Sequence, residues 1–174
     1  AANISSEWIN CDGERLLNEA TGQPFYMLND ADAAGMAELR FGDDLHNAGV
    51  VMMVTLGTGI GTALFSNGVL LPNTELGHLE INGIKAEHYA SNAVRKSEDL
   101  GWKEWAQRVN TVLSTYHALF WPDQFVIGGG VSKKHAKFFP HFTLPVPVVA
   151  AEQRNEAGII GAAVYGFERS LAKP

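Results

Sequence analysis

Three glycines at alternate positions, Gly57, Gly59 and Gly61, separate two apolar runs. No other stretch restricts the available folds as much. Val50 to Leu56, VVMMVTL, is apolar, rich in β-branched residues and too short for a core helix, so it predicts a strand. Thr62 to Phe65 predicts a second strand, and Asn67-Gly68 is the favoured pair for a two-residue hairpin turn with a third strand beyond it. The order is strand, glycine turn, strand, Asn-Gly turn, strand. A turn of Gly and Thr leaves backbone N–H groups uncovered and adds hydroxyls, so an oxyanion can approach. The same residues also suit a plain β-turn that binds nothing, and this stretch alone leaves both readings open.

Two familiar glycine motifs are excluded. A P-loop ends in Gly-Lys-Ser/Thr, and no lysine lies near Gly61. A dinucleotide fingerprint needs its third glycine three residues after the second and then a helix; Thr62 stands there and a hairpin follows. A phosphate loop at a hairpin is instead the arrangement of actin-like kinases. With 174 residues the chain has room for one substantial domain. Its net charge of −6 argues against a broad nucleic-acid surface. Apolar runs stay too short to cross a membrane, and the first residues lack the basic and apolar regions of a signal peptide. Cys11 is the only cysteine, which excludes an internal disulfide and predicts a reducing, cytoplasmic setting. The chain begins at Ala1 and not at a methionine, and so is expected to be processed, trimmed or partial.

Along the chain, Asp12 predicts the cap of a helix closed by Gly22, and Phe25 to Leu28 a short strand ending at Asn29-Asp30. A helix over ADAAGMAELRF follows, stopped by Gly42. Asn29 and Asp30 then lie where α/β proteins bind ligands, outside a strand end, although for an Asn-Asp pair alone the better reading is that Asp30 or Asp32 simply caps the helix. Glu75, His78, Glu80, Glu87 and His88 form a dense set of hydroxyl-binding groups in loop and short strand, before a helix from about Ala86. Trp102, Trp105, Val109, Val112, Leu113, Tyr116, Leu119 and Phe120 make a helical stripe that reads as core. Gln124 to Ile127 predicts a buried strand, and Gly128, Gly129 and Gly130 a second glycine turn. Ser132 then caps a helix over SKKHAKFF. Val146 to Ala150 is a short strand, and the segment from Glu156 a helix whose small residues permit close packing.

Five of these segments, NDADAAG (29–35), LGTGIG (56–61), ELGH (75–78), EHYAS (87–91) and IGGGVSKK (127–134), resemble in order the ROK family of sugar kinases. Within it they are most similar to the polyphosphate-dependent glucokinases, and the likeness runs from about Ala2 to Phe167. The resemblance implies an actin-like ATPase (ribonuclease H-like) α/β fold, the C-terminal domain having a mixed sheet flanked by helices. Residues 1–30 would end the N-terminal lobe and lead to the catalytic Asp; residues 31–174 would form the C-terminal lobe. It implies Asp30 as catalytic base, with Asn29, Glu75, His78 and Glu87 on the sugar hydroxyls. Gly57, Thr58, Gly59 and Gly61 would hold the transferred phosphoryl group. Gly128, Gly129 and Gly130, with Lys133 and Lys134, would line the donor site. The implied substrates are glucose or mannose and polyphosphate or ATP, with Mg²⁺ accompanying the donor, in a cytoplasmic homodimer.

Two departures stand out. Most members bind a structural zinc through one histidine and three cysteines, and the residues after His78 contain no cysteine, so no zinc is expected. The Asp-x-Gly-Gly-Thr phosphate loop that opens these kinases is absent, so the chain is expected to correspond to the C-terminal two-thirds of such an enzyme. Alternatives are an inactive fragment or pseudoenzyme, and a sugar-sensing regulator of the same family. Lys133, Lys134, His135 and Lys137 read either as a patch that guides a polyanion or as a solvated helix face.

Overall fold

A computed structural model describes residues 6–42, 49–153 and 156–171; the first five residues of the 1–30 segment lie outside these. The chain runs α1 (Gly13–Thr21), α2 (Asp30–Phe41), β1 (Val50–Leu56), β2 (Ile60–Ser66), β3 (Val69–Leu71), β4 (Glu80–Ile81), β5 (Ile84–Lys85), α3 (Ala86–Ala90), α4 (Asn92–Ser97), α5 (Trp102–Phe120), β6 (Gln124–Gly128), β7 (Val148–Ala150) and α6 (Ala157–Leu171). The predicted double hairpin forms: Leu56 faces Ile60 across the glycine turn, and Asn67 and Gly68 turn β2 into β3 with φ of +49° and +77°. The sheet order is β3-β2-β1-β6-β7, with β1, β6 and β7 parallel and β2 and β3 antiparallel. β4 and β5 form a separate small hairpin.

The run VVMMV is continuously apolar because both faces of the sheet are covered. Val51 and Met53 point to a layer with Met36 of α2, Ala63, Phe65 and Val126. Met52 and Val54 point to the larger layer, with Trp105, Val109, Val112, Leu113 and Tyr116 of α5. Each fully buried large side chain there is worth about 1.5–3 kcal/mol. The α5 stripe is therefore core, as its periodicity predicts, except that Leu119 at the last turn is 58% exposed. On the other face α2 meets α6 so closely that a Cβ on Gly161 would lie 1.6 Å from the Ala33 carbonyl oxygen. Glu38 is buried beneath this pair and accepts the N–H groups of Glu152 and Gln153 after β7, and burial raises its pKa. No helix among the described residues is long and apolar enough to cross a membrane.

Two predicted elements differ. Phe25 to Leu28 is not a strand: the Phe25 and Met27 N–H groups donate to Asn18 Oδ1 and Glu14 Oε1 of α1, so side chains occupy the donors a ladder would need. Residues after Ser132 form no α-helix but 3₁₀ turns, Ser132–Lys137 and Phe139–His141, kinked at Lys134. Ser132 is buried, and the cap position falls on Val131, which makes no side-chain capping bond. The cause is aromatic packing. Phe138 is fully buried between Trp102 and Trp105, and Phe139 and Phe142 pack on it, a spacing that Pro140 within the segment allows.

Candidate functional site

The two glycine turns meet. β1 and β6 run parallel with Thr55 beside Gly128, so both turns leave the same edge of the sheet. Gly129 has φ of +82°, and a Cβ there would lie 2.7 Å from the Leu56 carbonyl oxygen, so only glycine lets the backbones approach. The first turn uses glycine differently. None of Gly57, Gly59 and Gly61 has a positive φ. Their missing side chains make room for neighbours: Glu87 Oε2 would be 2.6 Å from a Cβ on Gly59, and Ala31 of α2 2.9 Å from one on Gly61. Thr58 at the tip is exposed, while the Gly57 N–H is already taken by the Gly59 carbonyl.

The approach of Ala31 to Gly61 brings the start of α2 to the first turn. Asn29, not Asp30 or Asp32, is the helix cap: its Oδ1 accepts from the Ala31 and Asp32 N–H groups at 2.8 and 3.4 Å. Its Nδ2 donates to Glu75 Oε1 at 3.1 Å. Asp30 opens the helix, exposed and without a hydrogen bond among the described residues. The turn 76–78 packs on β2, since a Cβ on Gly77 would meet the Ile60 carbonyl at 2.0 Å. His78 Nε2 lies 3.4 Å from Glu87 Oε1, and His88 Nε2 reaches the same oxygen at 3.7 Å. Glu87, with His78 on it, thus lies against the Gly57–Gly61 turn, and the start of α2, with Asp30 and the Asn29–Glu75 pair, lies next to it through Ala31.

The second turn lines a small cleft with Ser132, Lys133, Met53, Gln153 and Ala157. The two lysines assigned to it diverge. Lys133 reaches the cleft, whereas Lys134 lies with Lys137 beside the Trp102 ring, 5.9 and 5.6 Å from its centroid. The kink at Lys134 separates them.

Sequence reasoning missed the residues that hold the site. Asp32 is fully buried; Oδ2 accepts the Asn73 N–H at 2.8 Å and Oδ1 has no partner. Burial raises its pKa, and the charges of Glu75 and Asp30 add to this. Thr62 and Thr74 exchange hydroxyl–carbonyl bonds at 2.8 and 2.9 Å, and Thr62 Oγ1 also accepts from Leu76 N–H. Tyr116 OH donates to the Leu76 carbonyl at 2.8 Å, its pKa raised by burial and then by Glu87. A tyrosine within an apolar stripe and an inward threonine in a strand were the available signals, because buried hydroxyls need partners.

An α/β lobe whose mixed sheet brings two glycine turns to one edge beside clustered carboxylates has the actin-like ATPase fold. Residues 1–99 match the ROK family, and the chain belongs to it. It is 45% identical over 165 residues to the polyphosphate glucokinase of Mycobacterium tuberculosis, an alignment covering 94% of this chain and 62% of that protein. It is 44% identical to the inorganic polyphosphate/ATP-glucomannokinase of Arthrobacter sp. strain KM, with a TM-score of 0.89 over 97% of this chain and 67% of the other. A ROK glucokinase from Streptomyces griseus, solved with glucose and AMPPNP, is 22% identical with a TM-score of 0.73 over 89% of this chain and 72% of the other, a likeness of fold.

Proposed function

We propose that the protein phosphorylates the 6-hydroxyl of glucose, and of mannose, using polyphosphate or ATP. One observation carries this reading: Glu87 rests on Gly59 while holding His78, so hydroxyl-binding groups abut a turn able to receive a phosphoryl group. Glu75, Glu87 and Asn29 offer acceptors and a donor suited to a polyol, and His78 adds a second donor. Asp30 accepts the hydroxyl proton as the sugar oxygen bonds to the terminal phosphorus and the bond to the donor oxygen breaks, releasing ADP or a polyphosphate shorter by one unit. Gly57 to Gly61 receives the transferred group, and Gly128 to Gly130 with Lys133 the remaining donor phosphates. Mg²⁺ arrives with the donor, where phosphates and water satisfy most of its coordination. Among the described residues no group of three or more His, Cys, Asp or Glu side chains is placed to hold a metal ion by itself, so the donor would bring most of the ligands. A cytoplasmic homodimer belongs to the same reading; the free thiol of Cys11 suits a reducing compartment, and sedimentation tests the dimer.

In the full-length protein Asp30→Asn is expected to bind glucose normally and to fall below a tenth of wild-type kcat, a loss of at least about 1.4 kcal/mol in transition-state stabilisation. A coupled assay for glucose 6-phosphate measures this, and larger residual turnover removes Asp30 from the role of base. Glucose binding by the wild type without any turnover favours a sensing role instead.

A further inference from the structure

Outside this site, three cations converge on one indole ring. Arg95 Cζ lies 4.2 Å from the Trp102 centroid, with Lys134 Nζ at 5.9 Å and Lys137 Nζ at 5.6 Å. None forms an ion pair with a described carboxylate. The nearby acids are engaged elsewhere, since Glu98 and Glu104 both pair with Arg108. Charges this close, at separations on the order of the Debye length of about 8 Å, repel one another. Packing against Trp102 offsets part of that cost through cation–π attraction, but an indole does not neutralise three charges. In a chain of net charge −6 the convergence calls for an anion.

The location says which anion. Arg95 is on α4, whose Ala93 N–H donates to the Gly57 carbonyl of the first turn at 3.1 Å. Lys134 and Lys137 lie on the segment that leaves the second turn, just beyond Lys133. The patch is therefore built on the two segments tied to these turns. Resting on the polyphosphate reading above, we propose that Arg95, Lys134 and Lys137 around Trp102 form an outer subsite for the distal phosphates of a long polyphosphate, beyond the reach of a triphosphate. The ring orients the guanidinium and both ammonium groups, and the anion supplies the missing counter-charge.

The test is the paired variant Arg95→Gln/Lys137→Gln of the full-length protein, which removes both charges and leaves polar side chains. With polyphosphate of about a hundred units, KM should rise roughly tenfold or more. With tripolyphosphate or ATP, KM and kcat should change less than twofold. Direct titration of the long polymer should show the same weakening, with a log Kd–log salt slope shallower by roughly one per charge removed, as for other phosphate polymers. Arg95→Lys/Lys137→Arg should restore long-chain affinity. Equal changes for long and short donors, unaltered polymer binding, or equally tight patch-dependent binding of single-stranded RNA would overturn the subsite. Failure of the kinase reading looks different: the wild type then forms no glucose 6-phosphate with any donor, whatever the patch binds.

Discussion

At the scale of single residues, Asp32 shows how the site is held. It joins α2 to the Asn73 backbone, and through Asn73–Glu75 to a residue that Asn29 also grips. Its raised pKa means that the folded protein keeps this proton to higher pH than the unfolded chain, where the value is about 3.9. The stability it contributes is full below that unfolded value and is lost as pH rises through the folded one. Asp32→Asn removes the titration and keeps an acceptor for Asn73. Relative to wild type, the variant should gain stability as pH rises from 4 to 8. Urea midpoints at several pH values measure it, and a pH-independent gap contradicts the account. Glu38, also with a raised pKa, is common to both proteins and cancels.

At the scale of elements, the α2–α6 contact makes the sharpest claim. Gly161→Ala forces a methyl group into the Ala33 carbonyl and should cost about 3 kcal/mol or more, the upper end of overpacking. Gly158→Ala, facing open space on the same helix, should be neutral or stabilising by up to about 1 kcal/mol. Denaturant unfolding of the pair separates close packing from helix propensity; equal effects would refute the contact. Elements like these were legible where local chemistry decides. The Asn67-Gly68 turn, the Gly22 and Gly42 stops and the α5 stripe follow from turn conformation and periodicity. Segments 25–28 and 132–141 were not, because partners distant in sequence decide them: α1 side chains in the first case, Trp102 and Trp105 in the second. The site divides likewise. Asn29, Glu75, His78 and Glu87 are brought together at the first turn, but Asp32, Thr62 and Tyr116 work through backbone groups that no spacing displays.

For the molecule as a whole, the parallel pairing of β1 with β6 governs when the cleft can exist. Val50 starts β1 and Asp123 immediately precedes β6; the two are clamped by reciprocal bonds although 73 residues apart. The β1–β2 and β2–β3 hairpins close loops of only a few residues. By loop-closure entropy the long connection costs roughly 3 kcal/mol more to form. The hairpins are therefore expected to come first in folding, and the glycine-lined cleft, which needs both turns, to be assembled last. A sugar that binds only the finished cleft should slow unfolding and leave the refolding rate unchanged, because it stabilises contacts absent from the transition state. Stopped-flow refolding that quickens in glucose would put the cleft in the folding nucleus instead.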